Sequence, residues 1–337
     1  MLMPMTPPSP LEGLLPPGLL REGLLGSGSL SSALMNPLQV WLGMLPEPQF
    51  VFGAPDAHTA DAGLFGPESV SWQVHADPVA LIGGVRALLL QALHPEAMAG
   101  VAKWSDYRED PWGRLTRTAE YIGITTFGTT DEANAAGAKV RGVHARLGVD
   151  APHLLLWVHA GFVDSLLHVH RLAHPEFSDA DADAYVGEQR RAAELVGLDP
   201  DSVFADNAGL AAYFEQQRPQ LHATADALIA ARVLVAPPMS TQVQLLTPAR
   251  GAWTLVASTG FASLPLWAQR LYAQGLGLPD VPAGLAAIVE ASVNATAALR
   301  EASISATVRG IRALLGTVPE PARMGPHVKA ARTRLGL

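Results

Sequence analysis

From about residue 70 onward, apolar positions recur three and four residues apart, the period of helices that bury one face. Breaker and cap residues divide this pattern. Asp77-Pro78 is an acidic cap followed by proline in the first turn, and it opens the apolar run Val79–Leu93, which breaks at His94-Pro95. Asp110-Pro111 repeats the device and predicts a helix to about Tyr121. Thr129-Thr130-Asp131-Glu132 has the form of a capping box and predicts a helix to about Gly148. Pro152 starts a long apolar helix through about Leu172. Ser178 and the aspartates behind it cap another to about Gly197, and their charge suits the helix dipole. Further helices are predicted near 207–234, 265–274 and 281–316. Only 233–247 is ambiguous, and no period-2 strand is convincing. The fold class expected is all-α: a single large helical bundle over 51–337, preceded by an irregular N-terminal arm.

That arm, residues 1–50, is rich in Pro, Gly, Ser and Leu, with one short helix predicted near 31–44. Leu14, Leu15, Leu19, Leu20, Leu24 and Leu25 are too frequent for free solvent. They are expected to pack on the body or on a second subunit, which points to a homodimer.

Composition narrows the function. The chain of 337 residues is 49% hydrophobic and 16% charged, with a mean hydropathy of +0.19. Such a chain buries a large core and suits an apolar ligand. A net charge of -8 argues against a nucleic-acid partner. The absence of cysteine excludes disulfides, thiolate metal sites, iron–sulfur clusters and thiol nucleophiles together. No run reaches the roughly 18 apolar residues of a membrane span. The N-terminus lacks a cationic segment before its proline-broken apolar stretch, so a cytoplasmic protein is expected.

Two clusters at helical spacing carry the candidate chemistry. Arg114, Arg117, Thr118 and Tyr121 fall on one stripe, and Arg141, His144 and Gly148 on a stripe of the next helix. Packed antiparallel, these helices would bring guanidinium groups, a hydroxyl and an imidazole to one cavity. Imidazole can hold the iron of a porphyrin and guanidinium its propionates. The same spacing also describes arginines that solvate a helix face and an ordinary histidine.

The order of motifs separates these readings. Gly83-Gly84-Val85-Arg86-Ala87-Leu88-Leu89 is followed by Gln91 with His94-Pro95. Asp110-Pro111 then leads into Arg114-Leu115 and Arg117-Thr118. Phe127-Gly128, Arg141-Gly142-Val143-His144 and Trp157-Val158-His159 come next, with Leu264-Pro265 and Gly275-Leu276-Gly277-Leu278 downstream. This series resembles the catalytic domain shared by latex clearing proteins (rubber oxygenases) and the MpaB-type oxygenases. The resemblance implies a helical oxidoreductase that binds one haem b non-covalently and uses O2 on an apolar small molecule, such as a terpenoid, lipid or specialised metabolite. It puts the proximal iron ligand at His144, with Arg141 and Arg114 close to the haem and Thr118 on the distal side. It leaves two further readings: a haem-binding sensor or carrier without catalysis, and a haem-free binding protein of the same fold.

Two departures change the expectation. Rubber-cleaving enzymes have a lysine that can cap the iron, where this chain has Arg117. Arginine offers no lone pair, so an open or water-filled sixth position is expected. The join Val149-Asp150-Ala151-Pro152-His153 is also short, which alters the pocket wall. Thr118 or Arg117 is expected to donate a hydrogen bond to bound oxygen, and Glu96 or Glu120 to serve as base in alkene cleavage. Glu96 equally suits the first turn of the helix after Pro95. His159 is either a core histidine or part of the haem pocket.

The remaining signals are structural. His94 is expected to bond a helix terminus and His153 to be exposed. His170 and His174 are four apart, but Pro175 ends the helix at once and no His-Glu-x-x-His pattern is present, so with His168 they are expected at a solvated helix end. Asp181 and Asp183 read as a solvated helix start. Glycine-rich phosphate loops and nucleophile elbows are absent.

Overall fold

A computed structural model describes residues 61–278, 283–320 and 324–337. The helices are α1 (Val70–Ala76), α2 (Ala80–Gln91), α3 (Pro95–Trp104), α4 (Pro111–Phe127), α5 (Thr130–Leu147), α6 (Pro152–Ala173) and α7 (Asp179–Leu195). They continue with α8 (Asn207–Gln217), α9 (Ala225–Val235), α10 (Thr241–Leu246), α11 (Ala249–Ala262), α12 (Leu266–Gly275), α13 (Ala283–Gly316) and α14 (Pro326–Leu335). Among the described residues there is no strand, as an all-α bundle requires. The arm at 1–50, with its predicted short helix, lies outside the described residues.

The predicted caps form. Asp110 accepts from the Gly113 N–H at 2.9 Å. Thr129 and Glu132 close a capping box, as do Ser178 and Asp181. Gly148 ends α5 at φ 66°, a left-handed conformation that favours glycine. His94 caps α3 through Nδ1, which accepts from the Ala97 N–H. Boundaries shift where local signals are weak. Helix α4 runs on to Phe127. The stretch predicted as one helix near 207–234 is two, because Arg218-Pro219 breaks it into a 3-10 turn. The ambiguous stretch contains the end of α9 and the short α10.

Two helices make the centre. In α6, thirteen residues are buried, among them Trp157, Val163 and Val169. Against it packs α2, with Val85, Leu89 and Leu90 buried. The approach is close at Gly83, where a Cβ would meet the Leu166 Cα at 3.2 Å. Helices α11 and α13 flank this pair. Trp157 Nε1 donates to the Gln91 carbonyl and Trp253 Nε1 to the Leu234 carbonyl, so both large buried rings satisfy their polar edge. On the other flank, α4 and α5 pack as a hairpin across the short Gly128-Thr129 connection. A connection this short returns α5 antiparallel to α4, the arrangement on which the two candidate stripes depend.

Candidate functional site

A mostly apolar cleft opens between α2, α3, α4, α6 and α9. Its cavity volume is about 150 Å³, below the ~300–1,000 Å³ typical of small-molecule sites. Leu88, Leu89, Met98, Leu115, Val158 and Leu234 supply much of the wall. Its polar lining is Gln91, Tyr107, Arg114 and Thr118.

These four groups are in different states. Gln91 is committed, its side-chain amide donating to the Val158 carbonyl at 2.8 Å. Thr118 is exposed at the cleft, and its Oγ1 donates back to the Arg114 carbonyl at 3.0 Å. The Tyr107 hydroxyl is buried without a hydrogen-bond partner, and burial pushes its pKa up. The Arg114 guanidinium makes no ion pair among the described residues. Burial lowers its pKa from the usual arginine value, opposed by Asp106 and reinforced by Arg117. A half-buried guanidinium on an apolar wall, with Asp106 as its acidic neighbour, gains from an anion that meets it in the cleft.

The expected convergence on the cleft is partial. Arg114 and Thr118 reach it; Arg117, between them in sequence, does not. Arg117 turns outward and pairs with Asp106 at 2.8 Å and Asp110 at 3.3 Å, with 56% of its side chain exposed. The donation to oxygen expected of Thr118 or Arg117 is therefore spent on the Arg114 carbonyl and on surface carboxylates. On α5, Arg141 donates to the Leu195 carbonyl at 2.7 Å, which ties α5 to the end of α7. His144 is half-buried, with Nδ1 shielded and unpartnered. Burial lowers its pKa, against the pull of Asp150. It does not line the cleft as bounded above; it sits on the facing helix of the hairpin.

The candidate bases lie off the cleft. Glu96 is 62% exposed and faces His153 Nε2 at 3.1 Å, while its neighbours Ala97 and Met98 line the wall. Glu120 has one carboxylate oxygen buried without a partner, and burial raises its pKa. His159 is a core residue. Its ring stacks on Phe204 at 5.8 Å, and Val158 takes the place at the cleft.

His159 carries a pH prediction. Burial alone holds its pKa down to about 4, and His327 is likewise held at about 4. Unfolded, each protonates near its ordinary 6.5. Between those values the unfolded chain binds more protons than the folded one. The stabilising contribution is complete above the ordinary value and is lost as pH falls toward the folded one. Each unit is worth about 1.4 kcal/mol. Urea midpoints should therefore fall on going from about pH 7 to about pH 5, and His159→Phe, which keeps a ring against Phe204, should flatten the fall. Equal slopes in the two proteins would exclude His159 as a cause.

Sequence reasoning did not find Tyr107 or the α9 wall of Ala230, Ala231, Val233 and Leu234. Tyr107 sits in an irregular turn between two helices, where periodicity carries no signal. The α9 residues reach the cleft only through the tertiary packing of α9 on α3. The expectation for the histidines near 170 also changes. His170 is 1% exposed, not at a solvated end.

The comparisons with known proteins agree with the motif order. A sequence model of the family described as ER-bound oxygenase mpaB/B'/Rubber oxygenase, catalytic domain, matches residues 72–299, about two thirds of the chain. The chain belongs to this family of oxygenase catalytic domains. No curated protein and no solved structure matches it. Among the described residues, no helix is long and apolar enough to cross a membrane.

Proposed function

We propose that this protein is an O2-dependent oxygenase that holds one haem b and acts on an apolar small molecule in the cleft beside Arg114. The observation that carries the reading is the Arg114 guanidinium itself: half-buried, without an ion pair among the described residues, and set on a mostly apolar wall. That combination suits a large apolar ring bearing carboxylates. Arg114 would hold a propionate, and His144, on the neighbouring helix outside the cleft lining, would supply the imidazole for the iron; burial lowers its pKa, which favours the neutral, ligating form. When bound, haem supplies the O2 chemistry.

The chain's own residues do the rest. Leu88, Leu89, Met98 and Leu234 exclude water and hold an apolar substrate by its surface. The Tyr107 hydroxyl, buried at the cleft wall, can donate to a polar group that enters the cleft. Arg117, held outside in its ion pairs and without a lone pair to give, would not serve as an iron ligand.

The test is the ultraviolet–visible spectrum of the purified protein, with a pyridine haemochrome assay and dithionite reduction, followed by O2 uptake with apolar alkenes. A Soret band with about one haem b per chain and substrate-dependent O2 uptake is the expected result. A Soret band with no uptake across the panel would make the protein a haem carrier or sensor. No haem after reconstitution would sink the cofactor assignment.

A further inference from the structure

Away from the cleft, three side chains meet where α1 and α6 end. Asp77 follows α1 and is 8% exposed; His170 lies in the last turn of α6, and His174 caps that helix. One ligand-capable atom from each lies within 4.8 Å of the others. Asp77 Oδ1 accepts from the Val79 N–H at 3.0 Å, and its Oδ2 from Arg312 Nε at 2.9 Å.

His174 is in an unusual position. Its Nε2 stands 2.7 Å from Asp77 Oδ2, and its Nδ1 stands 2.9 Å from Glu176 Oε1. Both ring nitrogens of His174 thus face carboxylate oxygens. His170 stacks on His174 with ring centroids 4.3 Å apart, and neither of its nitrogens has a hydrogen-bond partner despite 1% exposure. Two orphan nitrogens in the core are expensive, and the described residues offer them no donor or acceptor.

We infer that Asp77, His170 and His174 bind one divalent transition-metal ion of the Zn2+ or Fe2+ class. Two imidazole nitrogens and a carboxylate oxygen are the donor set such ions take. Bond lengths of about 2.0–2.2 Å hold ligand atoms farther apart than the 2.7 Å between His174 Nε2 and Asp77 Oδ2, so this pair opens slightly on binding, within reach of side-chain rotation. The surroundings match a working site. Glu176 accepts the Nδ1 proton of His174, which leaves the Nε2 lone pair for the metal. Arg312 and the Val79 N–H hold the carboxylate of Asp77. An ion enters from a polar groove lined by His168, His174, Phe177, Glu301 and Ser305, which leaves room for water or a further ligand on the open side. The site is distinct from the Arg114 cleft: His170 is twelve residues along α6 from Val158, about 18 Å at 1.5 Å per residue. Once bound, the ion joins the ends of α1 and α6 and, through Arg312, ties in α13. It stabilises the folded chain by mass action.

The full-length protein, stripped with EDTA and desalted, is titrated with Zn2+ in a calorimeter, and its melting midpoint is followed with and without Zn2+. One Zn2+ per chain and a rise in melting midpoint are expected. His174→Gln and His170→Gln should each weaken binding at least about tenfold and abolish the rise. His222→Gln, at an exposed histidine elsewhere, should leave both unchanged. If buried His170→Gln does not fold, His174→Gln at the groove decides alone. Absence of stoichiometric Zn2+ binding in the unmodified protein, or binding untouched by His174→Gln, overturns the site.

Discussion

His144→Ala is expected to give a folded protein that has lost its Soret band, with haem falling from about one per chain to below a tenth of that, a change of at least ~1.4 kcal/mol in affinity. The expectation turns on how little else His144 does. It is half-buried, its Nδ1 is shielded from solvent, and its side chain makes no hydrogen bond among the described residues. An unsatisfied polar atom costs a fold ~1–3 kcal/mol, and alanine is a better helix former by up to ~0.7 kcal/mol. Removing the side chain should therefore leave the melting midpoint of the haem-free chain unchanged or slightly higher. A core histidine behaves differently: His159→Ala would leave a hole against Phe204 and lower the midpoint with or without haem. Haemochrome content and thermal melting, measured together on both variants, separate the two cases. A His144→Ala protein that keeps its full Soret band and reduced spectrum would remove this residue as the ligand.

Much of this organisation is legible in the amino-acid order, for reasons that differ between parts. Helix starts are the clearest, because caps are local chemistry: Asp110, Thr129 and Ser178 each bind the backbone three residues ahead, as their types and spacing predict. The hairpin of α4 and α5 follows from its short connection. What a helical stripe does not reveal is which part of it a neighbour covers. Arg114, Arg117 and Thr118 share a side by spacing, yet Asp106 and Asp110 in the preceding turn draw Arg117 outward while the other two reach the cleft. Nor does local spacing show partners far along the chain. His170 and His174 read as an unremarkable helix end until Asp77, about a hundred residues earlier, is folded against them. The wall from α9 is invisible for the same reason.

Arg86 illustrates both the reach and the limit of motif reading, and mutating its partner should have the largest effect on stability. The run from Gly83 to Leu89 marks family membership by sequence, but the structure gives its arginine a role in the core. Arg86 is 2% exposed. Its Nη1 donates to Asp164 at 2.6 Å and to Ser165 Oγ at 2.7 Å, and its Nε donates to the Ser263 carbonyl at 3.1 Å. It thereby fastens α2 to α6 and to the C-terminal end of α11. A buried charge pair adds little over an apolar pair of equal volume, but a buried charge without its counter-ion costs ~3–5 kcal/mol. Asp164→Ala should come near that cost, reduced because Asp164 is 29% exposed and water can reach its place. Arg86→Met leaves the partly solvated carboxylate, which is the lesser penalty, and fills most of the vacated volume. The double variant should then be more stable than Asp164→Ala alone, since it removes the stranded guanidinium. Urea midpoints for the four proteins of this cycle measure the coupling directly. Additive losses would show that Arg86 acts through its hydrogen bonds to Ser165 and Ser263, with no energetic part for the ion pair.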